Sequence, residues 1–271
     1  KDMMILPAQS SGDDLSFQND NLSKTVPVTT DNIKFHLDFV NIEEGVKADE
    51  IMFIKDLLVP MAIDRIKSFV SVTGTHQVGP LSYGSCQDED IPNVDPKYYS
   101  QTLEGDMILF VGIRKLHSGI LAYSGTCAQD PSSRRPVAGQ VIFNSLHAGP
   151  KTHFLLNSYA TLMHEIFHTI AFNPVLYSSF SPVSNGYAYF LNGGSYFMIG
   201  NELVSQAKKH FDCLSLDSLK MENEGDSGSS GAHFERLHFG NETMVSEDID
   251  YPVLSGFTLA FLKDTGFYSI D

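Results

Sequence analysis

Residues 161–170 read Thr-Leu-Met-His-Glu-Ile-Phe-His-Thr-Ile, which sets His164 and His168 four residues apart. On an α-helix those positions share one face, so two imidazoles converge on a point beside it. Leu155, Leu156, Tyr159, Leu162, Met163, Ile166, Phe167, Ile170 and Phe172 predict a largely buried helix from about Asn157 to Phe172, stopped by Asn173-Pro174. Two histidines and a glutamate in such a helix need polar partners. A zinc ion is the expected partner of the imidazoles, one per chain. Glu165 then stands beside the open coordination position, where it is expected to take a proton from zinc-bound water and pass it to a leaving amine while zinc polarises the carbonyl. The competing reading is an ordinary helix with two exposed histidines, and the apolar surroundings count against it.

The 271 residues are enough for one large domain or two lobes. A net charge of −15 repels nucleic acid and anionic membrane, so neither is expected as a partner. No run of about 18 apolar residues exists; the longest candidate, Ile51 to Val72, is broken by Lys55, Asp56, Asp64, Arg65 and Lys67. Any membrane association is therefore expected through an anchor outside this chain. The chain opens at Lys1 without a basic-then-apolar leader, which argues neither for nor against secretion. Cys86, Cys127 and Cys213 lack the short paired spacing of a cysteine zinc site. Cys86 and Cys127 could pair in an oxidising compartment and leave Cys213 alone, or all three could be separate thiols.

Residues 1–31 read as a polar lead-in. Ile33, Phe35, Leu37 and Phe39 alternate with polar residues, as in a half-buried strand. Ala48 to Val72 has helical spacing, with a kink or break expected at Pro60. After a loop over 73–105, Met107–Ile113 reads as a buried strand, and Ile120–Tyr123 and Gly139–Phe143 as two more. Glu202–Phe211 and Leu254–Asp264 read as short helices. The expected class is α+β: a twisted sheet with helices in an N-terminal lobe, residues 1–172, and a mostly irregular and helical C-terminal lobe, residues 173–271. Asn21-Leu22-Ser23 and Asn241-Glu242-Thr243 fit the glycosylation pattern, with Asn241 expected to be inaccessible.

A catalytic zinc usually has a third protein ligand. Spacing alone leaves Glu202, His210, His233 and His238 open. Residues 225–244 read GDSGSSGAHFERLHFGNETM, a glycine- and serine-rich loop, then His233-Phe234-Glu235, then Met244 eleven residues after that histidine. Together with Arg135-Pro136-Val137-Ala138-Gly139, Lys209-His210-Phe211-Asp212-Cys213 and the stretch Thr258 to Tyr268, this resembles the leishmanolysin family of metzincin peptidases over roughly residues 105–271.

That resemblance implies a metzincin-like catalytic domain, His233 as third zinc ligand, Met244 in a turn beneath the metal, and a Cys86–Cys127 bridge, with the partner of Cys213 outside the chain. It implies a zinc-dependent endopeptidase acting on protein or peptide substrates outside the cell or at its surface. The chain departs from the family at Ala171, where a glycine is usual, at Ala232 and Phe234 beside His233, and at Phe267. These departures motivate an alternative: a non-catalytic adhesion or structural protein that keeps the fold. The pocket beyond the scissile bond is expected from the segment after Met244, including Val253 and Leu254.

Overall fold

The computed structural model describes residues 29–74, 76–147, 154–182, 187–225, 228–247, 249 and 251–271; most of the lead-in, with Asn21, lies outside them. β1 (Thr29–Asn32) and β2 (Phe35–Ile42) are followed by α1 (Ala48–Met52), a π-helical stretch Phe53–Leu58 and α2 (Val59–Lys67). Pro60 does not end this helical segment. It stands in the first turn of α2, and the π stretch ahead of it marks the interruption of the α-ladder. The segment does stop earlier than its spacing predicts. Ser68 closes it, and β-branched Val70 and Val72 continue as a strand, β3 (Val70–Gly74).

β4 (Gln77–Val78) and β5 (Leu103–Glu104) pair across the long loop expected at 73–105. Then come β6 (Met107–Arg114), β7 (Ala122–Gln129), β8 (Pro136–Asn144) and α3 (Phe154–Ile170). The later half holds β9 (Tyr189–Asn192), β10 (Ser195–Met198), α4 (Asn201–His210), β11 (Leu219–Lys220), α5 (Arg236–Phe239), α6 (Gly256–Asp264) and β12 (Tyr268–Ile270). The class is α+β, as expected.

The central sheet has the order β2-β6-β8-β7, with β2, β6 and β8 parallel and β7 antiparallel on the edge. The unbroken apolar run of β6 follows from burial on both faces. Met107, Leu109, Val111 and Ile113 join the core beneath the helices. Ile108 and Phe110 point the other way, into a second cluster with Tyr98 and Cys86. The Cys86–Cys127 disulfide ties that second layer to β7, and Cys213 is free.

Against the first face lies α3, with Leu162, Met163, Ile166, Phe167 and Ile170 buried. Its approach to β8 requires Gly139: a Cβ there would stand 2.7 Å from the Thr169 side chain and 2.9 Å from the end of Met107. Two hydroxyls on the same face of β7 complete the docking. Thr126 Oγ1 donates to the Thr169 carbonyl at 2.7 Å, and one helical turn earlier Ser124 Oγ stands 2.8 Å from the Glu165 carbonyl. The chain ends by returning to its first half, with β12 pairing to β3 in the sheet β1-β3-β12.

Candidate metal centre

α3 buries its apolar stripe and turns His164, Glu165 and His168 towards a cleft of about 620 Å³, which is bordered by Gly119–Ser124, the start of the edge strand and the residues just before it. The helix ends where the Asn173-Pro174 pair predicts. Asn173 is extended, its side chain accepts from the Val175 amide, and Pro174 opens a 3-10 turn. Ala171 does not take the positive φ that glycine supplies; its amide and that of Phe172 both donate to the Phe167 carbonyl. This departure from the family pattern therefore costs no left-handed strain.

His233 reaches the same point from a loop 65 residues downstream of His168. Gly231 has φ +79° and lies so close to the Tyr196 ring that a Cβ would stand 2.6 Å from it. Tyr177 donates to the Gly231 carbonyl at 2.7 Å. Main-chain bonds from Glu222 to the His233 carbonyl and from Phe234 to the Met244 carbonyl fix the strand-like path on either side. Phe234 is fully buried and packs on Phe172 and Phe239. Met244 is likewise fully buried. Glu242, two residues earlier, holds this turn: its carboxylate accepts from the Met244 amide, Thr258 Oγ1 at 2.5 Å and Ser255 Oγ at 3.0 Å.

The three Nε2 atoms form a triangle with edges of 2.9, 3.0 and 3.0 Å. Each Nδ1 faces a main-chain carbonyl: Thr243 for His164 at 2.7 Å, Phe172 for His168 at 2.7 Å, and Ser229 for His233 at 3.0 Å. A carbonyl only accepts, so each Nδ1 carries the proton and each Nε2 presents a lone pair. Burial lowers all three imidazoles below their ordinary range, His233 to about 4 and His168 well below it, and neighbouring imidazoles add to the effect at His168 and His233. Three neutral imidazoles thus aim lone pairs at one another, an arrangement that repels unless a cation stands among them.

The donor set fits zinc. Tetrahedral bonds of about 2.0–2.1 Å place nitrogens about 3.3 Å apart, a few tenths wider than the observed edges. Among the described residues, these histidines are the one group of three His, Cys, Asp or Glu side chains close enough to share an ion. Glu202, the competing third ligand, sits exposed at the start of α4. His210 packs on Phe257, and His238 is exposed on α5.

Glu165 lies beside this triangle. Its Oε2 accepts from Ser124 Oγ at 2.6 Å, and burial raises its carboxyl to about 7 against the opposing effect of that bond. Sequence reasoning did not single out Ser124. The only signal was the alternation that puts Ser124 and Thr126 on one face of β7. The cleft wall after Met244 is made by Val245, Ser246, Glu247, Ile249 and Pro252. Val253 is half exposed and is held in a main-chain bridge to Glu242. The expectation of Val253 and Leu254 as pocket residues is thus corrected. Asn241 is exposed, contrary to expectation, with its side chain donating to the Tyr251 carbonyl.

Residues 47–271 match the family described as Leishmanolysin, Peptidase_M8. The chain is 26% identical over 205 residues to a leishmanolysin-like peptidase of Drosophila pseudoobscura pseudoobscura, covering 60% of this chain and 30% of that protein. It is 29% identical over 209 residues to a leishmanolysin-like peptidase of Caenorhabditis briggsae, covering 61% and 31%. To the leishmanolysin of Leishmania major it is 24% identical over 222 residues, covering 79% and 35%. The chain thus spans only about a third of the length of these relatives. The matched span contains α3, His233 and the turn at Met244, and the chain belongs to the leishmanolysin family of peptidases.

Proposed function

We propose that this chain is the catalytic part of a zinc-dependent endopeptidase with a metzincin-like plan. His164, His168 and His233 would hold one zinc ion, Glu165 would be the general base and acid, and Met244 would floor the site. The observation that carries this reading is the triangle of three lone pairs with a buried carboxyl beside it in an open cleft.

When bound, zinc supplies a Lewis acid that polarises the scissile carbonyl and acidifies the attacking water. The chain's own residues do the rest. The three main-chain carbonyls fix the imidazole rings and keep their Nε2 atoms unprotonated. The Glu165 carboxylate takes the proton of the attacking water and gives it to the leaving amine nitrogen. Among the described residues no strand pairs with the outer edge of β7, which offers its main-chain groups to an extended peptide lying in the cleft. Val245, Ile249 and Pro252 supply apolar surface to the cleft, with Ser246 and Glu247 between them.

In this reading residues 1–172 and 173–271 act as two lobes, and substrates are proteins or peptides met outside the cell or at its surface. The disulfide supports an oxidising compartment. No helix among the described residues is long and apolar enough to cross a membrane.

Zinc content and cleavage of a peptide library test the reading on wild type, His233→Ala and Glu165→Ala. One zinc per chain is expected in wild type, reduced by His233→Ala. Cleavage is expected to vanish in Glu165→Ala while zinc stays. Zinc without cleavage in wild type would favour the non-catalytic surface protein. Full zinc retention in His233→Ala would remove that residue from the ligand set.

A further inference from the structure

The edge strand does more to Glu165 than dock its helix. Ser124 Oγ lies 2.6 Å from Glu165 Oε2 and 2.8 Å from the Glu165 carbonyl oxygen, so its single proton is shared between two acceptors, with the carboxylate oxygen the nearer. Among the described residues Oε2 has this one side-chain partner and Oε1 has none. A carboxylate on a helix has several rotatable bonds, and holding one oxygen removes most of that freedom.

We infer that Ser124 is a positioning residue: its hydroxyl holds Oε2 of Glu165 and leaves Oε1 as the oxygen that exchanges a proton in the cleft. The inference rests on the peptidase reading above. In that reaction Oε1 takes a proton from the attacking water, leaving hydroxide to form the new C–O bond. It later releases the same proton to the amine nitrogen as the C–N bond breaks. Ser124 keeps its own proton throughout, donating to Oε2 in both states. Because Ser124 borders the cleft on a strand that has no outer neighbour among the described residues, the base and a peptide laid along that edge share one support.

The fold carries its own control. Thr126 Oγ1 makes the equivalent strand-to-helix bond, to the Thr169 carbonyl at 2.7 Å, without touching the carboxyl. A merely structural role for Ser124 makes the two hydroxyls equivalent. The experiment compares Ser124→Ala, Ser124→Thr and Thr126→Val with wild type for zinc content, melting temperature, kcat and KM, and adds crystal structures of wild type and Ser124→Ala. Ser124→Cys replaces the alanine variant should that chain fail to fold, since it keeps the volume and weakens the bond.

Ser124→Ala and Thr126→Val should lower the melting temperature alike and keep zinc at the wild-type level. Ser124→Ala alone should lose kcat, by about 10- to 100-fold, with KM within about twofold. Ser124→Thr should recover most of it, and the Glu165 carboxyl should leave its single position in the alanine structure. Wild-type kcat in Ser124→Ala, an equal fall in Thr126→Val, or an unmoved carboxyl overturns the inference and leaves the peptidase reading standing. A wild type that holds no zinc and cleaves no peptide overturns both.

Discussion

Burial makes charge costly at Glu165 and at the three histidines, and each answers differently. The imidazoles stay neutral and offer lone pairs. The carboxyl is raised to about 7, which suits the proposed role of accepting and then donating a proton near neutrality. The histidines give the metal-free protein a pH signature. Their folded affinity for protons is below that of the unfolded chain, so the unfolded state binds more protons once pH drops under about 6.5. The stability they contribute is present above that pH and is lost as pH falls towards His233's value of about 4. For His233 alone this amounts to about 3 kcal/mol. Urea titrations of the metal-free protein between pH 7 and pH 4 should show that loss, and a flat profile would contradict the neutral trio. Of these residues, His164, Glu165 and His168 were legible from spacing alone. His233 needed the ordered match around it, because 65 residues of chain separate it from the helix. The carbonyls of Thr243, Phe172 and Ser229 were not legible, since a main-chain acceptor leaves no mark on residue type.

At the level of elements, α3 was readable because one stripe is apolar and Asn173-Pro174 ends it, though it begins at Phe154, before the expected start. β7 was under-read as Ile120–Tyr123. It runs from Ala122 to Gln129 through Ser-Gly-Thr-Cys-Ala, small residues whose half-buried edge position needs no strong alternation. β3 was absorbed into the helical pattern before it, because a short apolar run satisfies either period. The turn around Met244 gives a prediction of its own. Glu242 is buried under Thr258 and Ser255, and burial raises its carboxyl despite those bonds. Glu242→Ala should strand these donors and cost about 2–4 kcal/mol. Glu242→Gln keeps the shape and one acceptor oxygen but turns the other into an NH2 facing a donor, so it should cost less than Glu242→Ala. Thermal melts of both variants check the ordering, and equal losses would deny the carboxylate its role as the tie. Gly231→Ala should likewise lower zinc affinity, since the new Cβ meets the Tyr196 ring and displaces the loop that carries His233. A metal titration reads this directly.

Over the whole molecule, two layers of core share the central sheet, and separate devices close them. The second layer is closed by Cys86–Cys127, which joins residues 41 apart. Opening a loop of that length should cost about 4 kcal/mol of stability, visible as a lower melting temperature in reductant; no change would mean that packing of Tyr98 and Phe110 suffices. The first layer is closed by the return of β12 to β3, so the last residues of the chain help to support the sheet on which α3 lies. The α+β class and most strands of that sheet followed from hydrophobic period, whereas the pairing of the chain's end with β3 joins segments with no local signal between them. All of this converges on a single point in space where three imidazole nitrogens meet. X-ray absorption at the zinc edge on the purified, zinc-loaded protein tests that convergence most directly. Three nitrogen ligands at about 2.0–2.1 Å are expected, falling to two in His233→Ala. A spectrum with two imidazoles in the wild type, or one unchanged by His233→Ala, would contradict it.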